Sequence, residues 1–199
     1  MDQAELIKQL SATMGKATVV KISNTLADSN FDIARLIDLT FHADKVIGFR
    51  AALVLENMYY QDPDTFILHI TLFISKIKEV KNPGCRRHYA KILMFLTDRK
   101  APKTIKEKLN ATDLEPAVEQ CFDWIIDPKV LVAVKVHAAE ALFNMHTRYP
   151  WIAEELTNQL QFLMRDGTAA IQTRGKRLLS YLHPVKRSGK LKAPAPVKN

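Results

Sequence analysis

Apolar residues recur along this chain at the three-and-four spacing of helices buried on one face, and polar breaks fall where helices start and stop. Residues about 3–13 place Leu6, Ile7 and Leu10 on one face, and after Gly15 a segment near 17–28 carries Val19, Val20, Ile22 and Leu26. The cluster Asp28-Ser29-Asn30 predicts a turn and cap, followed by a helix over about 31–41 with Phe31, Ile33, Leu36, Ile37 and Phe41. Asp44 predicts the cap of a helix over about 44–60, which ends near Asp62-Pro63 because proline restricts the residue before it. The same dipeptide starts the next helix, with Asp62 on orphan amides and Pro63 at the first helical position. That helix, about 64–80, is apolar on most sides, which implies burial between two neighbours. A continuous strand is the alternative for this run, but caps and prolines bracket a helical length.

Asn82-Pro83 repeats the cap-plus-proline start, and the helix over about 83–98 carries Cys85, Tyr89, Ile92 and Leu96 along one stripe. Residues 99–112 (RKAPKTIKEKLNAT) predict a polar connector containing a short basic helix. Further helices are expected over about 113–126, over 128–147 from Asp127-Pro128, over 151–165 and over 168–182. The fold class is therefore all-α, with about nine to ten helices in one domain, 1–183. Beyond it lies a basic, Pro-containing tail, 184–199, whose lack of apolar periodicity predicts flexibility.

Four of these helices share one internal pattern. It reads Ile47-Gly48-x-x-Ala51-x-x-Val54-Leu55, Arg86-Arg87-x-x-Ala90-x-x-Leu93-Met94, Val134-Lys135-x-x-Ala138-x-x-Ala141-Leu142 and Ile171-Gln172-x-x-Gly175-x-x-Leu178-Leu179. The small residue advances by 39, 48 and 37, and proline follows twelve residues after Ala51, Ala90 and Ala138. Small residues at this spacing let a neighbouring helix approach closely. With a mean repeat of about 41 residues, the chain resembles HEAT and armadillo-type helical repeats over roughly residues 31–182. The resemblance implies a HEAT-like α-α superhelix, or solenoid, in which helix pairs stack into one core. Gly48 and Gln172 depart from the family's usual basic residue, and the long middle step falls on the 99–112 connector, so the array is expected to be irregular.

The composition is ordinary for a globular protein, at 47% hydrophobic and 25% charged, and its six glycines among 199 residues favour helix over turn-rich β classes. The first ten residues lack the basic head and apolar run of a secretory signal, and no window is apolar enough for a membrane span. Cys85 and Cys121 make no disulfide framework, so the expected compartment is the reducing cytoplasm. The net charge of +8 is unevenly spread. Residues 76–108 hold eleven Lys/Arg against three Asp/Glu, 174–199 hold eight against none, and the remainder is acidic.

The basic stretch supplies the candidate binding residues: Lys76, Lys78, Lys81, Arg86, Arg87, Lys91, Arg99, Lys100 and Lys103. Such a surface neutralises phosphates, and a fold-level similarity to HEAT-like DNA alkylation-repair proteins gives a nucleic-acid reading weight. The plainer reading is a solvated helix face with a charged connector, Arg87 and Lys135 pairing with turn acids. Few aromatics interleave the stretch, which argues against sequence-specific single-strand recognition. Asp123-Trp124 and Trp151 with Glu154 and Glu155 are the local residues that suit a base pocket, and packing and capping explain them more simply. Cys85 precedes Arg86, Arg87 and His88, which would activate a thiol, yet its stripe places it in the core. His137 and Glu140 lie one turn apart without further ligands, and no phosphate loop, G-x-S-x-G or C-x-x-C occurs.

No catalytic residue, metal or cofactor is expected. The reading is a non-catalytic binding or scaffold module for a protein partner, with a nucleic-acid-binding repair-type protein as the alternative and a self-associating structural protein as the third. No membrane association is expected, and the sequence leaves the oligomeric state open. The geometric question bearing on function is whether 76–108 and 174–182 face one groove.

Overall fold

Capping side chains open several of the helices at the expected turn residues. In the computed structural model, which describes residues 1–183, α1 (Gln3–Ser11) starts on Asp2, whose carboxylate accepts from the Glu5 amide at 2.8 Å. The next helix, α2 (Lys16–Asp28), ends in a turn whose Asn30 has φ 48°, and the Phe31 amide returns to the Leu26 carbonyl at 3.0 Å. Asparagine takes the left-handed position here that glycine commonly fills. Asp32 caps α3 (Ile33–Leu39) and Asp44 caps α4 (Lys45–Gln61), accepting from Ala34 and Val46 at 2.9 and 2.8 Å.

The apolar run after Pro63 is not one α-helix. It forms a 3-10 helix, Pro63–His69, then α5 (Ile70–Lys76), then a 3-10 turn, Ile77–Glu79. Phe66, Ile70, Phe73, Ile74 and Ile77 are buried, whereas Leu68 is 85% exposed, so the segment buries one side, not all of it. The tighter winding changes which residues share a face.

Asn82 caps α6 (Pro83–Thr97) through the Gly84 amide at 3.0 Å. The connector helix α7 (Lys103–Asn110) follows, then α8 (Glu115–Ile126). Asp127-Pro128 does not start a helix. Asp127 turns back onto the Lys129 amide at 2.8 Å, and α9 (Val132–Met145) begins only after Leu131. The last pair is α10 (Trp151–Met164) and α11 (Ala169–Leu182). Eleven α-helices among the described residues exceed the nine to ten expected, and the short basic helix expected in the connector is present as α7. The tail expectation at 184–199 lies outside the described residues.

The helices pack in chain order as pairs. α3 lies on α4, the 63–79 segment reaches α6 through its buried aromatics, α8 lies on α9, and α10 on α11. The second members touch in sequence, α2 on α4, α4 on α6, α6 on α9 and α9 on α11, forming one row. Ala51, Ala90, Ala138 and Gly175 are all buried, as close approach between helices requires. One continuous apolar core runs from Leu6 in α1 to Leu178 in α11. Near its middle Tyr89 is fully buried, stacks on Phe73 with ring centroids 4.6 Å apart, and bonds Thr40 at 2.8 Å.

Candidate functional site

In three of the repeats a side chain of the second helix forms a polar tie to the end of the segment before it. Arg86 Nε donates to the Val80 carbonyl at 3.0 Å, Lys135 Nζ to Ile125 at 2.8 Å, and Gln172 Nε2 to Met164. Cationic donors at helix ends satisfy carbonyls that lack an intrahelical partner. In the first such pair no side chain is available, because Gly48 packs directly against the Thr40 carbonyl; a Cβ there would lie 2.9 Å from the oxygen. Arg86, not Arg87, is the tethering residue of α6. Lys135 is buried and holds a carbonyl, with Asp127 near enough to favour its charge but no ion pair formed; burial lowers its pKa.

These ties turn a stripe of polar residues along the row into rungs between neighbouring helices. Glu56 of α4 accepts from Lys91 at 2.5 Å and lies 2.6 Å from His88 Nδ1. Burial raises the Glu56 pKa, but the bonds to His88 and Lys91 outweigh it and hold the carboxyl below 4.5. On the far side Glu140 of α9 accepts from Arg174 at 2.7 Å and from Arg177 of α11. One turn on, the residues are aromatic: Tyr60 meets Phe95 at 6.1 Å between ring centroids, and Phe143 meets Tyr181 at 5.9 Å. Between α6 and α9, Asn144 donates to the Met94 carbonyl at 3.1 Å. These rungs were missed from sequence.

Of the nine candidate basic residues, the fold pairs several and divides the rest. Lys76 pairs with Glu79 at 3.1 Å, Lys78 with Glu119, Lys91 with Glu56 and Lys103 with Glu107 at 3.6 Å. Arg86 is committed to Val80, while Lys81, Arg87, Arg99 and Lys100 are exposed and form no ion pair among the described residues. The group at 76–87 lies at the start of α6 and Arg99 and Lys100 lie beyond its end. The 15 residues of that helix place the two groups about 22 Å apart along its axis.

The second basic segment meets part of the first. A cleft of about 640 Å³ is lined by Arg99, Lys100 and Lys106 together with Glu140, Phe143, Arg177 and Tyr181. Residues from 76–108 and 174–182 thus line one groove, to which the connector helix α7 contributes Lys106, Leu109 and Asn110.

His137 sits in the middle of the row. Burial lowers its pKa first, Lys91, Arg87 and Arg174 lower it further against a small opposing effect of Glu56, and the result is about 4. An unfolded chain binds this proton near 6.5, so the stabilising difference is complete above about 6.5 and is lost as pH falls toward 4. Allowing for screening at a half-buried site, the loss is about 1–2 kcal/mol. Denaturation midpoints at about pH 7 and pH 4.5 should therefore differ less for His137→Gln than for the native chain. An unchanged difference would show that other groups carry the acid sensitivity. The Glu56 contribution has the same sign but lies lower, being lost only below 4.5.

The remaining candidates are structural in placement. Cys85 is 1% exposed, donates to the Thr40 carbonyl at 3.5 Å, and has a thiol pKa raised by burial to about 11. Trp124 is buried, and Trp151 stacks on Phe122 at 5.5 Å, away from the row of second helices. Among the described residues no three His, Cys, Asp or Glu side chains gather as a metal site requires, and no helix is long and apolar enough to cross a membrane.

Comparison with curated proteins and with solved structures gave no match. A family model described as the HEAT repeat domain matches residues 6–182. The match extends the expected resemblance back through α1 and α2 and covers all eleven helices but the first few residues of α1. Helix pairs in order, small residues where second helices touch, and this match together show that the chain belongs to the HEAT repeat domain family.

Proposed function

We propose that residues 1–183 form one HEAT-like superhelical domain that acts as a non-catalytic module, binding a protein partner along the α4–α6–α9–α11 row. The observation that carries this reading is the composition of the row. Its acids Glu56 and Glu140 are neutralised by cations, while Tyr60 and Tyr181 remain 73% and 63% exposed. Exposed tyrosines, with Arg177 one turn from Tyr181, are among the side chains that supply most binding energy in protein interfaces. The rungs hold these groups on rigid helices, which limits the entropy lost on association. Both cysteines are buried and unpaired, which suits a cytoplasmic location.

The test is site-specific photo-cross-linking in extract, with the reactive side chain placed at Arg87 or Tyr60 in the row, or at Glu119 or Phe162 on first helices. The expected result is a discrete protein adduct from the row positions that excess unlabelled chain suppresses, and none from Glu119 or Phe162. Adducts from the first-helix positions alone would sink the reading. So would DNA binding that falls steeply with salt and weakens on Arg87→Ala, Arg99→Ala and Lys100→Ala, because it would make the exposed cations a phosphate-binding surface.

A further inference from the structure

The cleft beside α7 is where the irregular connector, the row and both basic segments meet. Its lining includes an apolar set, with Leu96 and Leu109 buried, Phe143 half-buried and Tyr181 exposed. It also includes Arg99, Lys100 and Lys106, all exposed. Two further cations line the cleft but are already committed. Arg148 donates to the carbonyls of Leu109 and Thr112 at 2.8 and 2.9 Å, and Arg177 holds Glu140. Among the described residues, the cations of the lining that make no ion pair or side-chain hydrogen bond are therefore Arg99, Lys100 and Lys106.

We propose that this cleft binds an acidic linear segment of the protein partner. One apolar side chain of the segment seats against Phe143 and Tyr181, and flanking carboxylates pair with Arg99, Lys100 and Lys106. The proposal rests on the reading of the chain as a protein-binding module and names the chemistry of what it binds.

Three features of the cleft favour this occupant. Exposed cations and apolar side chains lining one cleft match a segment that carries both acidic and apolar side chains. A nucleic-acid strand would carry a phosphate at every residue, whereas the exposed cations lining the cleft are three and stand beside the apolar Phe143 and Tyr181. The chain's own last residues offer Lys186, Arg187, Lys190, Lys192 and Lys198 with no acid, so their charge opposes entry beside the cationic rim.

Fluorescence anisotropy with dye-labelled peptides tests the assignment. The first peptide has Glu residues flanking one Leu, the second replaces each Glu by Gln, and the third replaces the Leu by Ser. The expected result is salt-sensitive binding of the first, with a loss of about tenfold or more for either replacement. Combined Arg99→Glu, Lys100→Glu and Lys106→Glu should abolish binding without changing the melting curve, since all three side chains are exposed. Tyr181→Ala should remove the preference for Leu over Ser while leaving the salt sensitivity.

Equal binding of the Glu and Gln peptides, or no effect of the charge reversals, would overturn the proposal. Tighter binding of a single-stranded oligonucleotide at the same rim would do so too, as would light scattering that shows the reversals dissociating a dimer of the chain. If the cleft assignment alone fails, suppressible cross-links from Arg87 and Tyr60 persist although the acidic peptide does not bind. If the wider reading fails, both are lost.

Discussion

Tyr89→Ala should lower the free energy of unfolding by about 3–5 kcal/mol, the range for removing a large aromatic from a closed core. The ring is fully buried between repeats, stacked on Phe73 and set edge-on to Phe41 at 6.2 Å between centroids. Phe73 in turn meets Phe66, and Phe66 meets Tyr59, so one aromatic chain ties α3, α4, the 63–79 segment and α6 together. Tyr89→Phe separates the hydroxyl from the ring. The Thr40 hydroxyl has one hydrogen and donates it to the Ile37 carbonyl at 2.7 Å, so Tyr89 is the donor in its 2.8 Å bond to Thr40. Removing that donor leaves Thr40 with a partner, and the cost should be about 1 kcal/mol. Urea denaturation of both variants measures the two losses. Native-state hydrogen exchange should place the lost protection first in the 63–79 segment and α6. A loss below about 1.5 kcal/mol for Tyr89→Ala would mean that the two repeats repack around the gap.

The repeat was legible because it is written in residue types that carry one physical meaning each. Asp44 and Asn82 cap the helices they precede, and Ala51, Ala90, Ala138 and Gly175 lie where second helices meet. Two features were not legible for identifiable reasons. The run from Phe66 to Ile77 has enough apolar residues to suggest burial on all sides, but Phe66, Ile70, Phe73, Ile74 and Ile77 form one stripe opposite the exposed Leu68, and the apolar count does not announce the 3-10 winding. Asp127-Pro128 has the composition of a helix start, but Asp127 also ends α8, and the chain needs the turn through Leu131 before α9 can reverse direction.

The regular spacing of the rungs was missed through an error of register. Aligning Arg87 with Lys135 hides it, because the tether of α6 is Arg86. Counting instead from Arg86, Lys135 and Gln172, the residue five positions on is Lys91, Glu140 and Arg177, and the residue nine positions on is Phe95, Asn144 and Tyr181. Those are the rungs. In α4 the rung lies one turn later, at Glu56 and Tyr60, and Gly48 offers no side chain to tie to Thr40. A charge count along the sequence could not separate Lys91, spent on Glu56, from Arg99, free on the rim of the cleft.

The tether itself can be tested at Lys135, where alanine should cost about 2–4 kcal/mol and methionine about 1 kcal/mol or less. Lys135 is only 7% exposed, and its ammonium gives the Ile125 carbonyl its side-chain partner at the end of α8. Alanine removes both the aliphatic stem and a charged hydrogen bond, leaving a gap and a carbonyl without that donor. Methionine keeps most of the stem and also relieves the burial of a charge, which partly offsets the lost bond. Guanidinium denaturation of the two variants measures the difference. Equal losses would mean that the bond dominates and that the charge is buried at little cost. A small loss for methionine alone would mean that the stem holds α9 on α8, with the bond setting its register. In that case Lys135→Met should keep its stability yet weaken cross-linking from Arg87, because Glu140, five residues beyond the tether, would no longer be held in place to receive Arg174 and Arg177.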